Sequence, residues 1–143
     1  MKLFSCLPAV NGLMMIALAC SLEPAQARLE ARETEVLSVP SGQSITFQEA
    51  FVDHSPAGRT ARFRFVAPHL RAHMEAAGYV AIEADLVHLC EQFALSRIVA
   101  PLPELIVISL AEAPIEFGSF DPDVMQVFEA YKPAGESCVW EAL

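Results

Sequence analysis

The sequence predicts an α+β fold: a single antiparallel sheet with one main helix packed on it, clipped by a helix-to-strand disulfide. Three observations predict it. Arg59 to Ala67 alternates, with Ala61, Phe63, Phe65 and Ala67 on one side and Arg62 and Arg64 on the other, the period of a half-buried strand. Ile82, Leu86, Leu89, Cys90 and Phe93 recur at helical spacing as one apolar stripe. Cys90 and Cys138 remain as an even pair once Cys6 and Cys20 are assigned to a leader.

That leader is Met1 to Ala27. Lys2 supplies the positive start, Leu13 to Ala19 the uncharged apolar stretch, and Ala25-Gln26-Ala27 the small-x-small cleavage site. The apolar stretch is shorter than the about 20 residues that span a bilayer. Export implies an oxidising compartment, where a cysteine pair becomes a bridge. Ala17-Leu18-Ala19-Cys20 offers a rival reading as a lipid-attachment site at Cys20, but Ala17 and Leu18 reverse its usual order. Cleavage after Ala27 is therefore expected, with a flexible segment over residues 28–35 and a single domain over 36–143.

The elements follow in order. Val36 to Val39 is a short strand stopped by Pro40, and Ser41-Gly42-Gln43 supplies turn residues. Ser44 to Asp53 reads as a strand with Ile45, Phe47 and Phe51 on one alternation. His54 to Gly58 carries Pro and Gly between extended runs, a hairpin loop. His69 to Ala77 is a short helix ended by Gly78. The main helix follows, with Glu83, Asp85, His88, Glu91 and Gln92 assigned to its wet face.

Leu105 to Leu110 is an almost unbroken apolar run, as in a central strand covered on both faces. Asp121-Pro122-Asp123 starts a brief helical turn. Two further strands flank a loop at Pro133 to Glu136, and Trp140 shares a face with Cys138, where it is expected to pack on the bridge. A sheet of about four to six strands results.

The chain carries 9 Lys and Arg against 18 Asp and Glu, a net charge of −9. That balance argues against nucleic acid and against an anionic membrane surface. Membrane contact is expected only through lipidation at Cys20. Arg59, Arg62 and Arg64 form a local basic stripe, and Arg62 and Arg64 share a strand face able to grip a carboxylate or phosphate. The plainer account of the pair is a solvated face balancing nearby acids.

His69 and His73 stand four apart, a zinc-compatible spacing, with His54 and Glu75 as the candidates to complete the set. Position 70 is Leu, so the glutamate of a metalloprotease helix is missing. Asp121 and Asp123 lack the further acids and central Gly of a calcium loop. No nucleophile elbow, phosphate loop or dinucleotide fingerprint occurs. No cofactor is expected.

Arg62 to Pro68, Asp85 with Leu89-Cys90, and Ile106 to Leu110 form a series. Phe117-Gly118, Asp121-Pro122, Gln126, Phe128 to Tyr131 and Cys138 to Glu141 continue it. The series resembles a domain-of-unknown-function family of small exported alphaproteobacterial proteins. The resemblance implies export and a cysteine pair, and carries no catalytic residues over. The sequence thus points to an exported periplasmic binding or interaction module without catalytic activity, for a protein or small-molecule partner. The alternatives are a small metal-dependent or hydrolytic enzyme using His69 and His73, and an envelope component anchored through Cys20.

Overall fold

The computed structural model describes residues 35–142. The leader, the cleavage site, Cys20 and nearly all of the N-terminal segment lie outside those residues. The described chain forms one curled six-stranded sheet in the order β1-β2-β3-β4-β5-β6. The strands are β1 (Val36–Leu37), β2 (Ile45–Ser55), β3 (Gly58–Val66), β4 (Leu105–Ala111), β5 (Gln126–Ala134) and β6 (Ser137–Glu141). Two helices, α1 (Leu70–Ala77) and α2 (Tyr79–Leu89), lie between β3 and β4.

The expected single antiparallel sheet with one main helix is corrected on two counts. β3 and β4 pair in parallel, from Thr60 opposite Leu105 to Val66 opposite Ala111, so the sheet is mixed. A parallel neighbour cannot be reached through a tight turn; it needs a crossover of a dozen residues or more. Residues 67–104 are that crossover, and they form two helices broken at Gly78, whose φ is 77°. The clue was the unbroken apolar run of β4, which follows from burial on both faces.

β2 carries a further departure. Phe47 stands opposite Phe65 but Glu49 stands opposite Arg64, a bulge that takes up Gln48. One extra residue reverses the faces of all that follows. Ile45 and Phe47 therefore face the helices, while Phe51 turns to the opposite side beside Glu49 and Asp53. The single alternation expected for Ile45, Phe47 and Phe51 does not hold.

The helix stripe fills the core as its spacing requires. Ile82, Leu86, Leu89, Cys90 and Phe93 are all buried. After Leu89 the helix widens into a π turn over Cys90–Ala94 and ends in a short 3-10 turn at Leu95–Arg97. The Phe93 ring lies 5.0 Å from that of Phe47 and 5.2 Å from that of Phe65, centroid to centroid. Cys90 and Cys138 are bridged across 48 residues. Closing such a loop contributes about 4 kcal/mol in the chain-entropy description. Beside the bridge, the Cys138 amide donates to Glu91 Oε1 at 3.2 Å, so Glu91 also reaches the edge strand.

Asp85, assigned above to the wet face, has no exposed surface at all. Its carboxylate accepts from the Ser41 amide at 2.9 Å, the Ser41 hydroxyl at 2.6 Å and the Gln43 side-chain amide at 2.7 Å. A buried carboxylate is tolerated when its oxygens are saturated in this way. Asp85 thereby pins the β1–β2 turn onto α2. Replacing it with alanine strands three donors, and Asp85→Ala is expected to lower unfolding free energy by about 3 kcal/mol. Urea denaturation measures it; a variant as stable as the wild type would contradict the clamp.

Candidate functional site

Clefts open on both faces of the sheet, and two of them are lined by a pair of arginines. The first lies on the outer face, away from the helices. Arg62, Arg64, Val107, Ser109, Phe117, Gly118, Gln126 and Phe128 enclose about 200 Å³ there. Arg62 and Arg64 do share this face, but both are already partnered. Arg62 Nε donates to Asp53 Oδ2 at 2.7 Å, and Arg64 donates to Glu49 Oε1 and, at 2.7 Å, to the Ile115 carbonyl. The Phe117 ring stacks over both guanidiniums, at 5.2 and 5.7 Å from its centroid.

Phe117 is carried by the loop between β4 and β5, and Glu112 closes the neck of that loop. Its amide donates to the Met125 carbonyl, and its carboxylate accepts from the Met125 amide at 3.1 Å. The Arg71 backbone and guanidinium, from the first turn of α1, donate to the same carboxylate.

The second cleft opens on the helix side, past the end of the helical layer. Residues 97–103 return alongside the β2–β3 hairpin. Between them lies a groove of about 290 Å³, walled by Ala50, Val52, Ala61, Phe63, Ile98 and Val99, among others. Arg59 and Arg97 line the same groove. Arg59 Nη1 donates to the Pro101 carbonyl. Arg97 lies flat over Phe93, 3.4 Å from the ring centroid, and donates to the Phe93 carbonyl at 2.9 Å.

The hairpin is locked to the returning chain by a reciprocal pair. The Glu104 amide donates to the Arg59 carbonyl at 2.9 Å, and the Arg59 amide to Glu104 Oε2 at 2.7 Å. Gly58 makes this approach possible: its φ is 104°, and a Cβ there would lie 2.9 Å from Glu104 Cδ.

The sequence groups Arg59 with Arg62 and Arg64; the structure separates them. Position 59 differs in parity from 62 and 64, so strand alternation puts it on the opposite face. Arg97 was missed. In sequence it is one basic residue at a helix end, and nothing local announces its partner across the groove.

His69 precedes the first turn of α1 and is exposed, and His73 lies half-buried within the helix. Among the described residues, no three His, Cys, Asp or Glu side chains gather as a metal would require. Asp121 accepts from the Asp123 amide at 2.9 Å in a turn that does not continue into a helix. The Trp140 indole donates to Glu129, which also accepts from the Tyr79 hydroxyl at 2.5 Å. That contact, not the disulfide, is where the indole N–H is directed.

The molecule is thus a small mixed-sheet domain with a helical layer, a disulfide clip and clefts on both faces of the sheet. It belongs to a family of unknown function, DUF6497, whose model matches residues 17–143. No curated protein and no solved structure shows significant similarity to the chain.

Glu112 makes the outer loop sensitive to acid. Partial burial pushes its carboxyl up, but the Met125 and Arg71 amides and the Arg71 guanidinium outweigh that and hold it below the ordinary glutamate range. A carboxyl depressed in the folded state stabilises above its unfolded pKa, and that contribution is lost as pH falls through the folded value. Melting temperature against pH should therefore fall more steeply for the wild type than for Glu112→Gln below the usual glutamate pKa. Parallel curves would show that Glu112 does not hold the neck by its charge.

Proposed function

We propose that this chain is an exported, non-catalytic binding module whose site is the Arg59–Arg97 groove. The observation that carries the reading is the chemistry of the lining. Among the described residues, the only ionisable side chains that line it are two arginines. A guanidinium holds its charge across the physiological range, so it attracts and orients but does not take up or release protons. The rest of the wall is apolar, the composition of a small-molecule site of the smaller kind. The outer cleft supports binding less well, because its arginines are neutralised within the fold.

Export is supported by the leader pattern of Met1 to Ala27 and by the bridge, since disulfides persist in oxidising compartments. The intact mass of the protein recovered from outside the cytoplasm tests it. A chain beginning at Arg28 with no alkylatable thiol is expected; a retained leader, or lipid on Cys20, would overturn the soluble exported form. For the site itself, a fragment library screened by protein NMR should shift amides around Ala61, Val99 and Ala100. Hits scattered over the surface, or gathered around Phe117, would overturn the groove as the site.

A further inference from the structure

We infer that the groove takes a small amphipathic carboxylate, a single apolar chain or ring ending in one negative charge. The inference rests on the binding reading above and names its ligand class. It begins from the ion pairs. The described residues include six lysines and arginines: Arg59, Arg62, Arg64, Arg71, Arg97 and Lys132. Four are paired with carboxylates: Arg62 with Asp53, Arg64 with Glu49, Arg71 with Glu112, and Lys132 with Glu141. The two without a carboxylate within ion-pair distance, among the described residues, are the two that line this groove.

In a chain of net charge −9, carboxylates outnumber cations two to one. Neither guanidinium at this cleft has an ion-pair partner among the described residues, and the nearby Glu104 carboxylate is engaged by the Arg59 amide instead. Each guanidinium has five N–H donors. Arg59 directs Nη1 to the Pro101 carbonyl, and Arg97 directs Nη1 to the Phe93 carbonyl and the Ser96 hydroxyl. Donors remain on both for a carboxylate, which a planar guanidinium receives in a two-point contact. The stack of Arg97 on Phe93 fixes the plane of that fork, so less side-chain freedom is lost on binding.

The apolar wall asks for a hydrocarbon body. Val99 is 79% exposed and Val52 47%, large apolar side chains left facing the cleft or its rim. A volume of about 290 Å³ holds one short chain or a single ring system and excludes a two-chain lipid. A polyanion is disfavoured as well, because the acidic body repels every charge beyond the one the arginines receive.

The test is a titration of the full domain, bridge intact, followed by NMR with octanoate, octan-1-ol and octyltrimethylammonium. Octanoate should shift the groove amides and bind about tenfold tighter than octan-1-ol, the factor of one charge-assisted hydrogen bond. Octyltrimethylammonium should not shift them. Arg97→Gln, at the exposed end of the helical segment, and Arg59→Gln should each weaken octanoate about tenfold. Lys132→Gln removes the same charge from β5 and should leave it unchanged.

The comparison among the three probes needs no variant, so a misfolded Arg59→Gln protein does not obscure the answer. Equal binding of octan-1-ol or the cation, or equal weakening by Lys132→Gln, would overturn the carboxylate. So would octanoate shifts that avoid the groove. In those cases the groove still stands if fragments converge on it; fragments that do not converge remove the binding reading itself.

Discussion

The parallel pairing of β3 and β4 at the centre of the sheet governs the rest of the molecule. Two adjacent parallel strands need the chain to travel back across one face before the second can begin. Residues 67–104 make that journey, which is why α1, α2 and the π turn all lie on a single side. The layer packs on the sheet through its apolar stripe, and two polar or covalent ties fix its register. Asp85 fastens α2 to the β1–β2 turn, and Cys90 with Glu91 fastens its far end to β6. The groove is a consequence of the same journey. The chain returning toward β4 passes beside the eleven-residue β2 with a gap between.

The bulge at Gln48 decides what the other face can do. Without it, β2 would present Phe47 and Phe51 together, and Glu49 and Asp53 would stay with the core, where an unpaired carboxylate is costly. With it, Glu49 stands opposite Arg64 and Asp53, opposite Thr60, reaches Arg62 diagonally, so the outer arginines are neutralised inside the fold. Gln48, the residue taken up by the bulge, donates to the Ile115 carbonyl at 3.1 Å and helps hold the covering loop. One inserted residue thus removes the charge from the outer cleft and leaves the groove as the face with cations to offer.

Much of the fold was legible in the sequence because it is local. The alternation of β3, the apolar run of β4, the stripe from Ile82 to Phe93 and the cysteine pair each appear within a window that periodicity can read. What was hidden is long-range. Asp85 looks like a solvated acid until Ser41 and Gln43, 44 and 42 residues away, are brought to its oxygens. The direction of β4 relative to β3 depends on how the chain crosses, which no pattern inside either strand records. The candidate site was legible only in part. Arg59 was named but placed with the wrong neighbours, and Arg97 meets it only because the crossover returns beside the hairpin.

Charge sets the terms on which such a groove can act. At physiological salt, fields from exposed charges fade over about 8 Å, so the acidic surface acts at the approach and the two arginines act at contact. A highly charged anion meets the unfavourable field first and gains little from two guanidiniums. A single carboxylate on an apolar body meets less of it and gains twice, once from the fork and once from the wall. Among the described residues that line the cleft, the arginines keep their protons at neutral pH and no carboxylate or imidazole stands with them. On the binding reading proposed above, two arginines with no ion-pair partner among the described residues, set beside an apolar wall, favour a ligand that carries one negative charge on an apolar body.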